Sequence, residues 1–121
     1  MAKILLVEDE EQLRSMLKLV LLDAGHEVEE AGDGIQAYES YSQRPADLLL
    51  TDIIMPEKEG LETIMKFRKS YPDLKIIAMS GGGRTAVNYL DVAKRLGARH
   101  VLAKPFSNKE LLQAVQMVLE M

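Results

Sequence analysis

The stretch Leu48-Leu49-Leu50-Thr51-Asp52 is an apolar run that ends in a hydroxyl and a carboxylate. A short run of this kind is typical of a strand that is buried on both faces of a parallel sheet. The stretch Ile4-Leu5-Leu6-Val7-Glu8-Asp9 shows the same pattern near the start of the chain and again ends in acids. We therefore predict two buried parallel strands whose acidic residues emerge at the same edge of one sheet.

Further strands and helices alternate on either side of these two runs. Further apolar runs predict strands at residues 74–79 and 101–103, and the more polar Glu27-Val28-Glu29 predicts a short strand near an edge of the sheet. Between the strands, apolar residues recur at intervals of three and four, the spacing of an amphipathic helix. The five predicted helices cover residues 10–24, a segment from residue 33 onward, and residues 61–68, 86–93 and 107–119. Asp33 and Ser107 are predicted N-caps, since each has Gln or Glu three residues later.

This alternation predicts a single α/β domain, in which a parallel sheet carries helices on both faces. The connections between strands are expected to be right-handed crossovers. In open sheets of this type, functional sites lie at the carboxyl ends of the strands. The residues that end the strands are therefore the first candidates for chemistry.

The composition excludes several classes of function. The chain has no cysteine, which excludes disulfides, thiolate metal sites and cysteine nucleophiles. A net charge of −4 and an aromatic content of 5% argue against nucleic-acid binding, which needs a basic face or stacking rings. No apolar stretch approaches the ~20 residues of a membrane span, and the first run is too short for a signal peptide. We expect a cytoplasmic protein that binds neither nucleic acid nor membrane.

Polar residues end four of the five predicted strands. Glu8 and Asp9 follow the first strand, Asp52 ends the third, Ser80 ends the fourth and Lys104 follows the fifth. Taken singly, such acids are typical of helix caps and turns, and such a lysine is typical of an exposed surface. Because the fold gathers them at one edge, we expect one site in which Lys104 and a divalent cation offset the carboxylates. Oxygen ligands with room for water suit Mg²⁺.

A carboxylate beside a bound cation and an ammonium group can act as a nucleophile toward phosphorus. Asp52 suits this role because it ends a central buried strand. Glu8 and Asp9 suit the metal, while Lys104 and the Ser80 hydroxyl suit the remaining phosphoryl oxygens. The predicted chemistry is the transfer of a phosphoryl group to Asp52.

The strand ends belong to longer motifs, which are Val7-Glu8-Asp9-Glu10, Leu50-Thr51-Asp52-Ile53-Ile54-Met55-Pro56 with Gly60, Met79-Ser80, and Gly97-Ala98 ahead of Lys104-Pro105-Phe106. This ordered set of motifs resembles the receiver domain of bacterial two-component response regulators over the whole chain. The resemblance implies a flavodoxin-like fold, with five parallel strands in the order 2-1-3-4-5 and five helices on both faces. The last predicted helix reaches the final residues, so we expect a stand-alone receiver domain over residues 1–121 with no output domain, or else a receiver domain cut from a longer protein.

The same resemblance implies a role for each site residue. Asp52 would be the phosphoacceptor, and Mg²⁺ would be held by Asp9, by Glu8 directly or through water, by Asp52 and by the backbone carbonyl of Ile54. Ser80 and Lys104 would bind the phosphoryl group, and a cis bond before Pro105 would aim the lysine. The chain would turn over no separate substrate, so it would not be an enzyme beyond its own phosphorylation and dephosphorylation.

The resemblance also implies partners. The phosphoryl donor would be a phosphohistidine on a sensor histidine kinase or a histidine phosphotransfer protein, which usually docks on the first helix of a receiver. An unknown downstream protein target would receive the signal through the face around the fourth helix. Tyr89, Val92 and Leu96 form a stripe there at helical spacing.

Two features depart from the family pattern. Val101 stands three residues before Lys104, where the family commonly has a Tyr or Phe ring that moves on activation. Valine is stiff at its first side-chain torsion and cannot reproduce that movement. The Gly81-Gly82-Gly83 loop is unusually permissive backbone, either because its turns need positive φ or because it orders when Ser80 engages a phosphoryl group.

Three other functions fit the pattern less well. A phosphate-independent, receiver-like interaction module is the main alternative, and Val101 is the residue that favours it. An aspartyl phosphatase usually has a second acid two residues after its nucleophile, where this chain has Ile54. A flavin carrier would need a phosphate-binding loop after the first strand, where Glu8 and Asp9 would repel a phosphate.

Overall fold

Strands and helices alternate along the chain as predicted. The structure, a computed structural model, describes residues 2–53, 59–80 and 91–121. The strands are β1 Lys3–Val7, β2 Glu27–Ala31, β3 Leu48–Asp52, β4 Lys75–Ser80 and β5 His100–Ala103. The helices are α1 Glu11–Asp23, α2 Gly34–Gln43, α3 Glu59–Ser70, α4 at residues 91–96, and α5 Asn108–Leu119. Within these ranges, no helix combines the length and the apolarity needed to cross a membrane.

Several predicted features lie outside the described residues. They are the Ile54 carbonyl ligand, the Gly81-Gly82-Gly83 loop, Tyr89 and the first part of the helix predicted at 86–93.

The five strands form one parallel sheet in the order β2-β1-β3-β4-β5. The flavodoxin-like order is therefore confirmed. The two runs that predicted the fold lie side by side, with Leu6 opposite Leu50. The edge strand β2 continues to Ala31, two residues beyond its predicted end, because its pairing with β1 extends to Val7 opposite Ala31.

The sheet separates two apolar cores, because successive side chains of a strand point to opposite faces. One core joins Leu5 and Leu49 of the central strands to residues of α2, α3 and α4. The other core joins their neighbours Ile4 and Leu48 to residues of α1 and α5. Burial on both faces explains why β1 and β3 read as continuous apolar runs rather than alternating ones. Packing on both faces holds the central strands rigidly, so the residues at their carboxyl ends have fixed positions.

Both predicted N-caps are confirmed. Ser107 Oγ accepts a hydrogen bond from the Glu110 N–H at 3.0 Å, and Glu110 Oε1 accepts one from the Ser107 N–H at 3.1 Å. Asp33 Oδ1 accepts from the Gln36 N–H at 2.8 Å. The Gln36 side chain accepts from the Gly32 N–H instead of the Asp33 N–H, so the return bond of this cap shifts by one residue.

Helices α2 and α3 approach each other closely at Gly34. A Cβ atom added there would lie 2.0 Å from Oγ1 of Thr63, which is buried in α3. A hydrogen in place of a side chain therefore allows the first turn of α2 to pack against α3.

Candidate functional site

The carboxyl ends of β1, β3, β4 and β5 meet at one edge of the sheet. Asp52 is the last residue of β3 and Ser80 is the last residue of β4. Glu8 directly follows β1, and Lys104 directly follows β5. The Lys104 N–H donates to the Ser80 carbonyl at 2.7 Å, which extends the pairing of β4 and β5 to the site. The structure thus brings together residues that are far apart in the sequence.

Three carboxylates form an acidic cluster at this edge. Glu8, Asp9 and Asp52 each offer one oxygen, and these oxygens lie within 4.8 Å of one another. Glu8 and Asp52 are buried, with exposed fractions of 1% and 3%, whereas Asp9 is exposed. Carboxylates this close repel one another unless a cation lies among them. Three hard oxygen donors with one exposed member suit Mg²⁺, which keeps part of its water shell in proteins.

The Lys104 ammonium lies between the two buried carboxylates. Its Nζ donates to Glu8 Oε1 at 2.8 Å and to Asp52 Oδ2 at 2.9 Å. Burial alone would lower the pKa of Lys104, but the hydrogen bonds to Glu8 and Asp52 outweigh burial and raise it. Lys104 is therefore a charged and bound member of the site, with a side chain that is 20% exposed.

Burial raises the pKa of Glu8 to about 7. The hydrogen bond from Lys104 opposes this rise, and repulsion by the Asp52 charge adds to it. Burial is the largest cause of this rise, and the Lys104 ammonium does not fully offset the repulsion by the nearby Asp52 charge. The same shortage of positive charge favours a divalent cation at the cluster.

Every polar group of Glu8 has a partner. Its N–H donates to the Ala31 carbonyl at 3.1 Å, and its carbonyl accepts from Arg14 Nη1 at 2.9 Å. One carboxylate oxygen accepts from Lys104, and the other accepts from the Glu10 N–H at 3.2 Å. Glu8 therefore faces the site and is not a solvated acid at the start of α1. The N-cap of α1 is Glu10, whose side chain makes no capping bond.

The structure also describes three other residues that the sequence placed at or near the site. Ser80 is fully buried at the end of β4. The bond before Pro105 is cis, as the resemblance implied. Val101 is partly buried, lies opposite Ala78 of β4 and packs against the core beneath α2, α3 and α4.

Sequence reasoning did not single out Arg14, whose guanidinium contacts the Glu8 carbonyl. Arg14 interrupts the apolar pattern of α1 on the side that faces the sheet, and its side chain is 21% exposed. A long cation on the inward side of an otherwise apolar helix was the signal that could have indicated this contact.

A cavity of about 840 Å³ lies at the opposite edge of the sheet, where the strands begin. Its lining includes Ala2, Tyr41 and Lys75, and no member of the acidic cluster. The candidate site is therefore identified by the charged side chains that meet there, and not by the volume of a cavity.

Comparison with known families gives the class of protein to which this site belongs. The family model of the response regulator receiver domain matches residues 4–116. The chain therefore belongs to the receiver domains of two-component response regulators.

Particular relatives match this chain over nearly their whole length. The response regulator receiver protein CpdR of Brucella abortus is 38% identical over 119 residues, which are 98% of each chain. The chemotaxis protein CheY of Thermotoga maritima is 35% identical over 117 residues, which are 96% of each chain. The crystal structure of the receiver domain of NtrX from Brucella abortus matches with a TM-score of 0.91 and 30% identity over 98% of both chains.

Proposed function

We propose that this receiver domain accepts a phosphoryl group on Asp52 from a phosphohistidine donor, in a reaction that requires Mg²⁺. The observation that carries the proposal is the convergence of Glu8, Asp9 and Asp52 at one sheet edge, where Lys104 binds both Glu8 and Asp52. A buried nucleophile, two further acids and a bound ammonium are the groups that phosphoryl transfer to a carboxylate needs.

The bonding changes are simple. An oxygen of the Asp52 carboxylate attacks phosphorus, a P–O bond forms and the P–N bond of the donor breaks. The histidine nitrogen keeps the electron pair of that bond and takes a proton from solvent, while Asp52 becomes an acyl phosphate. Lys104 and the Ser80 hydroxyl then bind oxygens of the phosphoryl group.

Glu8, Asp9 and Asp52 are the described residues that would hold Mg²⁺, together with the Ile54 carbonyl that the family pattern adds. When bound, the ion would offset the negative charge shared by the carboxylate and the phosphoryl group. Glu8 is held by four hydrogen bonds, whereas Asp9 is exposed. This difference supports Asp9 as the direct ligand that meets the ion from the solvent side.

Two exposed apolar areas are the proposed partner surfaces. On α1, Met16, Leu19 and Leu22 are 53%, 67% and 42% exposed, and we assign them to the phosphoryl donor. On α4, Val92 is 39% exposed and Leu96 is partly buried beside it, and we assign this face to the downstream target. The match to CpdR and CheY along nearly their full lengths supports a receiver that signals by contact with other proteins.

A phosphate-independent interaction module is the second candidate. The observation that favours it is Val101, which takes the place of the ring that moves in many relatives and is packed against the core. Both candidates keep the fold and the partner surfaces, so phosphorylation itself distinguishes them.

The test incubates the purified chain with Mg²⁺ and acetyl phosphate and measures its intact mass. We expect the gain of one phosphoryl group, its loss when EDTA replaces Mg²⁺, and no gain in Asp52→Asn. Asp47→Asn is the matched control, because Asp47 is an exposed acid just before the other end of β3. No gain in the wild-type chain, from acetyl phosphate or from a panel of histidine-phosphorylated donors, would favour the interaction module.

A further inference from the structure

We propose that Arg14 is a positioning residue for the metal site, which it serves by holding the peptide between Glu8 and Asp9. This inference rests on the proposed function, because it concerns how the acidic cluster receives Mg²⁺. Arg14 itself contacts no carboxylate of the cluster in the described structure; it acts through the backbone.

The contact is directed at one atom. Arg14 Nη1 donates to the Glu8 carbonyl at 2.9 Å, across a separation of six residues. That carbonyl belongs to the peptide group that leads into Asp9. A hydrogen bond from a charged guanidinium is short and strong, so it restricts rotation of this peptide group.

The other side of the guanidinium is anchored on β2. Arg14 Nε lies 3.6 Å from Glu30 Oε1 in an ion pair, and Glu30 also accepts a hydrogen bond from Lys18 at 3.0 Å. Arg14 Nε is buried and makes no hydrogen bond within the part of the chain that the structure describes. The Arg14 side chain therefore reaches the Glu8 carbonyl in a position that leaves its own Nε–H without a hydrogen bond among the described residues.

Asp9 needs such help more than Glu8 does. The Glu8 carboxylate is held by Lys104 and by the Glu10 N–H. Asp9 is exposed, and among the described residues no hydrogen bond holds its side chain. The direction of the Asp9 carboxylate therefore depends on the backbone before it, which Arg14 fixes. Loss of that restraint would spread Asp9 over orientations that do not face Asp52.

The charge of Arg14 and its positioning role predict opposite changes in Mg²⁺ affinity when Arg14 is replaced. A cation near the cluster repels Mg²⁺, so removal of charge alone would tighten binding. Removal of a positioning contact would weaken it, because groups that orient metal ligands sustain affinity. Lys18 is the matched control, since it lies on the same helix and pairs with the same Glu30 but does not contact Glu8.

The test is calorimetric titration of Mg²⁺ into the metal-free wild-type chain, Arg14→Met, Arg14→Lys and Lys18→Met. We expect Arg14→Met to weaken Mg²⁺ binding about tenfold, the lower end of the range for residues that orient metal ligands. Lys18→Met should bind Mg²⁺ as tightly as the wild type or slightly more tightly. Arg14→Lys keeps the charge but loses the planar fork, so it should bind more weakly than the wild type by a smaller factor.

The outcomes separate the two proposals. If Arg14→Met binds Mg²⁺ as tightly as Lys18→Met, Arg14 acts as a charge at most and the positioning role is wrong. If circular dichroism shows that Arg14→Met is unfolded in EDTA, Arg14→Lys becomes the deciding variant. Wild-type affinity for Mg²⁺ in Arg14→Lys would then overturn the inference. If the wild-type chain binds no Mg²⁺, the proposed metal site fails, and the positioning role fails with it.

Discussion

Lys104 Nζ lies 2.9 Å from Asp52 Oδ2, although the two residues are 52 positions apart in the chain. The same ammonium donates to Glu8, so a single cation joins the ends of β1, β3 and β5. This arrangement holds the proposed phosphoacceptor in place before any phosphoryl group arrives. A divalent cation at the proposed metal site would offset the same carboxylates as Lys104 does.

Loss of Lys104 should therefore destabilise the metal-free chain. In Lys104→Met, the buried oxygens of Glu8 and Asp52 lose their shared donor, which typically costs about 1–3 kcal/mol. We expect the free energy of unfolding in urea with EDTA to fall by about this amount, and Mg²⁺ to restore more stability in the variant than in the wild type. The control is Lys109→Met, an exposed lysine in the first turn of α5. Equal stability of both variants in EDTA would show that the bridge contributes nothing.

The close approach of α2 and α3 gives a prediction about Gly34. In Gly34→Ala the new Cβ would lie 2.0 Å from Thr63 Oγ1, and the buried, branched Thr63 side chain has little freedom to move away. We expect a loss of about 1–3 kcal/mol of unfolding free energy, the usual cost of overpacking, despite the helix preference of alanine. Gly32→Ala is the matched control, because its Cβ would meet its nearest atoms at an ordinary 3.6 Å. A stabilised Gly34→Ala variant would contradict the described packing.

His26 should make part of the stability depend on pH. Its Nδ1 accepts the Ala2 N–H at 3.2 Å, which requires the neutral ring, and burial lowers its pKa below the ordinary 6.5. The unfolded chain therefore takes up the proton first as pH falls. The contribution of His26 is fully present above pH 6.5 and is lost as pH falls from there through the lowered pKa.

The measurement for His26 is urea unfolding of the wild-type chain and of His26→Gln at about pH 5 and about pH 8, on either side of the usual histidine range. Glutamine offers an acceptor to the Ala2 N–H but does not titrate. We expect the wild type to lose more stability than His26→Gln between the higher and the lower pH. Parallel losses in the two proteins would rule out this role for His26.

If the phosphoryl donor docks on α1, a substitution on this surface should slow phosphorylation by a protein donor but not by a small molecule. Leu19→Glu places a charge in the exposed apolar area of α1, away from the acidic cluster. We expect it to slow transfer from a histidine-phosphorylated phosphotransfer domain that phosphorylates the wild type, while phosphorylation by acetyl phosphate is unchanged. Ile35→Glu is the matched control, because Ile35 on α2 is also 67% exposed. If both variants, or neither, slow the transfer, the donor does not dock specifically on α1.

Much of the fold could be predicted because the hydrophobic pattern and the fold agree closely in this chain. Continuous apolar runs in β1 and β3 indicated strands covered on both faces, and the alternation with helices indicated the parallel sheet. The ends of β2 were less predictable. Its residues Glu27, Glu29 and Glu30 are those of a polar edge strand, and only pairing with β1 defines its full length.

The convergence of Glu8, Asp9, Asp52 and Lys104 could be predicted from the sequence, but the contacts among them could not. Position at strand ends indicated Glu8, Asp9 and Asp52, yet nothing in the sequence distinguished the buried Glu8 from the exposed Asp9. That difference arises from the turn after β1, where the Glu10 N–H binds the Glu8 carboxylate. The position of Arg14 on the inward side of α1 could have indicated a buried contact, but the sequence does not show that its partner is the Glu8 carbonyl.

The most direct test of the central claim is to locate the modified residue. After incubation with Mg²⁺ and acetyl phosphate, borohydride reduces an aspartyl phosphate to homoserine, which peptide mass spectrometry can place in the sequence. The account predicts homoserine at position 52 and unmodified residues at Glu8 and Asp9, with no homoserine when Mg²⁺ is omitted. Homoserine at position 9, or a phosphoryl group that resists borohydride, would contradict the assignment of Asp52 as the phosphoacceptor.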